Sequence, residues 1–121
     1  MFNPSDIGID NGNIFGLPFT RGNAKVMILP VPWEVTVSYG MGAADGPKAI
    51  LEESLQVDLF DPDIKDAWKT GIFMEPISKS ILKKSSSLRE LAKKCIDHLE
   101  AGGDVNDPKI ESMRDEINNG S

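Results

Sequence analysis

The sequence predicts an α/β fold built on parallel strands, and three observations carry that expectation. A wholly apolar run, "KVMILPVP" at residues 25–32, is bounded by a lysine and by prolines, the pattern of a short strand buried on both faces. A glycine-rich loop and a helix-start signal follow it, giving a strand, loop, helix order. Two stretches near the C-terminus then repeat apolar residues at helical spacing.

Composition sets the frame. The 121 residues are 40% hydrophobic and 26% charged, which is the make-up of a globular chain of one domain or part of one, not of a disordered one. Nineteen acids against 13 bases leave a net charge of -6, which argues against nucleic acid as a partner because phosphate neutralisation needs clustered basic surface. Cys95 is the sole cysteine, so no disulfide framework exists and a reducing, cytoplasmic location is expected. The first ten residues carry neither a basic nor an apolar signal region, and the apolar run at 26–33 is too short to cross a bilayer, so no membrane partner is expected. Residues 1–60 hold 7 acids and 3 bases, whereas residues 61–121 hold 12 and 10, the contrast between a buried, loop-rich half and solvated helices.

Residues 1–24, rich in Asn, Gly, Pro and Phe without periodicity, read as an irregular N-terminal arm, and residues 25–121 as one partial α/β domain. The first strand is placed at 25–31. A loop from Pro32 to Gly46 follows, and Pro47 at a first helical position, capped by Asp45 or Gly46, starts a helix over 47–55 with Ile50, Leu51, Ser54 and Leu55 on one side. "QVDLFD" reads as a short strand with Val57 and Leu59 on one face. A second buried strand is expected at 71–75, stopped by Pro76. Ser87 and Glu90 form a capping box, with Ser85 and Ser86 beside them, for a helix over 87–101 whose stripe is Leu88, Leu91, Ala92, Cys95 and Leu99. Gly102 and Gly103 stop it. Asp107 as cap and Pro108 at the first position begin a last helix over 108–118, with Ile110, Met113 and Ile117 in line.

Candidate chemistry is sparse. His98 sits on the polar side of its helix with no neighbouring Cys or second His, which makes it a surface residue and not a metal ligand. Asp61, Asp63 and Asp66 miss the calcium-loop pattern, since Asp66 and Ile72 stand where Gly and Glu are needed, and a solvated turn fits them. Gly40, Gly42 and Gly46 depart from the dinucleotide fingerprint in spacing and lie too far from the strand. Cys95 is a packing residue on an apolar stripe. Two non-catalytic or non-hydrolytic readings stay open at this point: a small α/β interaction module docking through its last two helices, and a nucleotide-binding protein using the glycine loop as a phosphate cradle.

The stretch from Ile28 to Ser54, "ILPVPWEVTVSYGMGAADGPKAILEES", resembles the N-terminal segment of the ureohydrolase family, which includes agmatinase and arginase. Pro32, Glu34, Thr36, Ser38, Gly42, Gly46, Pro47, Ile50 and Ser54 take the family's positions, while Pro30 stands where Gly is usual, Glu34 where Asp is common and Leu51 where Arg is common. The resemblance implies an incomplete arginase-like fold, the N-terminal portion of a three-layer α/β/α parallel sheet. It also implies a parent that hydrolyses a guanidino compound to urea and an amine, agmatine being favoured over arginine. That parent would use two Mn2+ ions held by Gly-Gly-Asp-His, Asp-x-His-x-Asp and Asp-x-Asp motifs, none of which this sequence contains; Gly102-Gly103-Asp104 follows a helix and precedes Val105, so it is a helix stop. The chain is therefore expected to be an inactive N-terminal fragment with no catalytic residue, no metal ligand and no cofactor of its own. Its partners would be the remainder of its own chain within a parent homo-oligomer. Glu34, Thr36, Ser38, Gly40 and Gly42 are expected at the rim of the parent's substrate cavity.

Overall fold

The computed structural model describes residues 2–37 and 40–121. It is mixed α/β: a parallel pair of short strands, β1 (Val26–Ile28) and β2 (Ile72–Met74), and three α-helices, α1 (Gly46–Glu53), α2 (Lys79–Glu100) and α3 (Pro108–Gly120). Contacts divide it into two compact units, Met1–Pro30 with Gly46–Ile77, and Val31–Asp45 with Ser78–Ser121.

In the first unit, Val26 pairs with Ile72, Met27 with Phe73 and Ile28 with Met74. The strands sit where the apolar runs placed them, but the expectation of a first strand over 25–31 buried on both faces is corrected. β1 spans three residues, and Val26 and Met27 are each 43% exposed, because a two-stranded sheet has too few neighbours to cover both faces. Leu29 and Val31, beyond the strand, are exposed as well. β2 fares better: Met74 is buried.

Polar side chains do much of the fastening here. Asn13, 4% exposed, donates from Nδ2 to the Leu17 and Ile72 carbonyls (both 3.0 Å) and accepts the Met74 N–H at Oδ1 (3.0 Å). Its amide thus takes the place of a neighbouring strand along the outer edge of β2, satisfying backbone groups that burial would otherwise leave unpaired. Ser54 Oγ accepts the Phe15 N–H (2.8 Å) and donates to the Leu51 carbonyl (2.7 Å), tying the end of α1 to the N-terminal segment. Gly16 lies at φ +62, where a Cβ would stand 2.7 Å from the Ile9 carbonyl oxygen; no other residue fits that approach. Ile14 and Leu17 are buried beside these groups.

α1 begins at Gly46, directly after a 3-10 turn over Ala43–Asp45, so Pro47 is its second residue and not its first, and it ends in a 3-10 turn over Ser54–Gln56. Ser54 is buried and Leu51 and Leu55 half-buried, whereas Ile50 is 60% exposed and does not share their side. The strand expected in "QVDLFD" is absent: Val57 is exposed, and the Asp58 carboxylate accepts the Phe60 N–H (2.9 Å), so the aspartate bends the chain instead of letting it pair.

In the second unit, α2 and α3 pack through Leu88, Ala92, Cys95, Ile110 and Ile117 with Val35, and Trp33, Leu91 and Met113 flank them. The start of α2 corrects the capping-box reading. The helix begins at Lys79, capped by Ser78 Oγ accepting the Ile81 N–H (3.3 Å), and the serine triplet lies inside it. No glycine or proline breaks residues 79–86, and Ser87 Oγ donates to the Lys83 carbonyl (3.1 Å), a back-bond that lets a serine sit mid-helix. The C-terminus is as expected: Gly102 adopts φ +81, its N–H donating to the Leu99 carbonyl and that of Gly103 to the His98 carbonyl. Asp107 caps α3 through the Lys109 N–H (2.9 Å), and Ile110 and Ile117 are buried.

Candidate functional site

Of the loop singled out in the sequence, Pro32 to Gly46, the described residues up to Asp45 belong to the second unit. Prolines and side-chain hydrogen bonds position this loop. Pro32 is fully buried, and the Glu34 N–H donates to Ser85 Oγ (2.9 Å), a hydroxyl itself only 1% exposed. Val35 fills the apolar cluster while its carbonyl accepts from Arg89 Nη1 (3.3 Å). Two successive residues are thus held: Glu34 by its backbone to α2, Val35 by its side chain to the core.

Glu34 and Gly42 are brought together. Glu34 Oε2 accepts the Gly42 N–H at 2.8 Å. That bond above all, with the amides of Ala43 and Ala44 and the charge of Arg89 adding to it and desolvation opposing it, holds the Glu34 carboxyl below the usual carboxylate range. Gly42 sits at φ +127 and Gly40 at φ +69, so both glycines are used for conformations that side chains rarely adopt. Gly40 is exposed with open space around it. Thr36 is not part of the Glu34–Gly42 grouping. It lines a cavity of about 330 Å³ with Ala92, Cys95, Ile96, Arg114 and Ile117. Ser38 lies outside the described residues.

Two contributors escaped the sequence reading. Ser85 stands three residues before Leu88 on the 85, 88, 92, 95 stripe, a spacing that could have marked it as inward-facing. Arg89 carried no such signal, since its role depends on Val35, which is 54 residues away.

Chemically, the loop amides are already engaged by a carboxylate. A phosphate seated on the amides of residues 42–44 would meet the charge of Glu34, which weighs against the cradle reading. Among the described residues, no three His, Cys, Asp or Glu side chains gather in a way that could hold a metal ion. The manganese pair implied by the family resemblance therefore finds no fit on them. His98 Nε2 lies 3.4 Å from the Asp104 carbonyl oxygen, half-buried beside the helix stop. Asp61 Oδ1 accepts the N–H groups of Asp63 and Ile64, forming the turn expected of that cluster. Cys95 is buried in the helix-pair core, as its stripe position indicates. No helix among the described residues is long and apolar enough to cross a membrane.

Against known proteins, the chain is 40% identical over 42 residues to the N(1)-aminopropylagmatine ureohydrolase of Synechocystis sp.. That segment is 35% of this chain and 14% of the relative, so the chain spans a small part of the length of the curated protein it matches. No protein-family model matches the chain, and no solved structure does.

Proposed function

We propose that this chain is the N-terminal part of a ureohydrolase-like protein whose parent converts a guanidino compound, agmatine in preference to arginine, into urea and an amine at a pair of manganese ions. The similarity to the Synechocystis ureohydrolase, together with the order Pro32, Glu34, Thr36, Gly42, Gly46, Pro47, Ile50, is the observation that carries the reading. A mixed α/β structure with a parallel strand pair supports it, since the three-layer α/β/α sheet it belongs to would extend the same arrangement. On this reading, Glu34, Thr36, Ser38, Gly40 and Gly42 border the parent's substrate cavity, and the metal ligands come from residues outside this chain. The parent is a cytoplasmic homo-oligomer.

Urea release provides the test. The product of the reading frame extended beyond codon 121 is expected to liberate urea from agmatine with Mn2+ present, and the 121-residue chain to liberate none. Urea formed by the 121-mer with stoichiometric Mn2+ would overturn the fragment reading, and an extended product inert toward every guanidino compound would overturn the activity. A second reading, a small non-catalytic interaction module, is favoured by the helix pair's own buried cluster; a monomeric, cooperatively melting 121-mer is what it expects.

A further inference from the structure

The first unit contains an Asn-Gly pair whose hydrogen bonds place a carboxylate on the Gly12 N–H and hold both ends of the Asn11 amide. The Gly12 N–H donates to Asp10 Oδ1 (3.1 Å), so a carboxylate is in place to take the proton that this nitrogen must lose to become a nucleophile. Asn11 Oδ1 accepts the Asn13 N–H (3.0 Å), which polarises the side-chain carbonyl and stabilises charge building on its oxygen during attack. Asn11 Nδ2 donates to the carbonyls of Gly16 (3.3 Å) and Leu17 (3.2 Å), orienting the leaving amine. Gly12 sits at φ +81 with open space where a Cβ would stand, so no neighbouring group packs against its Cα. Asn11 is exposed and, with Gly16, lines a surface cavity of about 370 Å³ that admits water.

We propose that Asn11–Gly12 is a self-modification site, where the chain deamidates through a succinimide. The Gly12 nitrogen forms a bond to Asn11 Cγ as its proton passes to Asp10. The Cγ–Nδ2 bond then breaks, and Nδ2 leaves as ammonia carrying that proton. Water adds to either carbonyl of the ring, giving aspartate or isoaspartate at position 11. One water is consumed and one ammonia released, with no change of oxidation state. The product has lost both donors to Gly16 and Leu17 and sets a carboxylate against their carbonyls. Leu17 is fully buried, and its carbonyl also receives Asn13 Nδ2, so the modification loosens the turn that fastens β2.

Asn119–Gly120 is a built-in control, the same dipeptide held within the last turn of α3, where helical geometry keeps the backbone from folding onto the side chain. The purified 121-residue protein is incubated at neutral pH, and both sites are followed by peptide mass spectrometry and isoaspartate-specific methylation. Asn11 is expected to convert severalfold faster than Asn119 in the folded protein, with the ratio falling toward unity in denaturant. Asp10→Ala, an exposed substitution, is expected to slow Asn11 severalfold and leave Asn119 unchanged. An Asn11 that stays intact or converts no faster than Asn119 when folded, or a ratio indifferent to denaturant, overturns the proposal. An Asp10→Ala protein with an unaltered Asn11 rate removes Asp10 as the proton acceptor.

Discussion

The two units solve the same problem with different materials. In the second, two helices interdigitate Leu88, Ala92, Cys95, Ile110 and Ile117, and a single buried hydroxyl, Ser85, locks the incoming loop. The first has a three-residue strand pair and few buried apolar side chains, and it relies on Asn13 and Ser54 to join segments distant in sequence. The contrast teaches that a thin core can be compensated by directed hydrogen bonds, at the cost of depending on individual residues. A packed helix face spreads its stability over many contacts, each small.

The sharpest way to break the comparison is Asn13→Ala. It leaves the Met74 N–H and the Ile72 carbonyl short of partners, while the Leu17 carbonyl keeps Asn11 Nδ2, and a loss of about 3 kcal/mol in denaturant unfolding is expected. Hydrogen exchange should show the loss at Met74 first, and a stability change under 1 kcal/mol, within the ordinary surface range, would contradict the keystone role of Asn13. Leu88→Ala in the helix pair is expected to cost about 2–4 kcal/mol through the cavity it opens, with exchange increased along α2 and α3. Ser85→Ala removes the acceptor of the Glu34 N–H and is expected to cost about 1–3 kcal/mol. Asp107→Ala should cost about 1 kcal/mol by uncapping α3, read as earlier fraying in circular dichroism melts.

The smallest effect concerns pH. Glu34 has its carboxyl held below the ordinary range, so the stability it lends the loop is fully present above that range and is lost as pH falls through its own lowered value. An NMR titration of the Gly42 amide should show this step at a lower pH than for an ordinary glutamate, and Glu34→Gln should abolish it.

How much of this was legible in sequence depended on the range of the interactions involved. The stop at Gly102, the start at Asp107 and Pro108, and the α3 stripe were readable because cap and periodicity lie within a few residues of each other. The start of α2 was not: Ser87 and Glu90 make a valid local box, yet an unbroken helical stretch upstream lets Ser78 win, and cooperative extension favours the longer helix. β1 was found but its burial was overestimated, since an apolar run tells what could be covered and not what covers it. Asn13 was invisible because its β2 partners lie 59 and 61 residues away. Within the loop, Glu34 and Gly42 proved to be neighbours while Thr36 joined a different cavity, a split that linear spacing does not encode.

The amide of Asn13 also gives the strand pair a direction. With Val26 donating to the Gly71 carbonyl and Ile28 accepting from Glu75, the main-chain groups of Met27 point away from β2. β2, on its far rim, is plugged by a side chain that offers no continuing ladder. Lateral growth of this sheet is therefore one-way, beside β1, and two molecules cannot stack into a ribbon through β2, which is the kind of safeguard that keeps a short exposed strand from seeding fibrils.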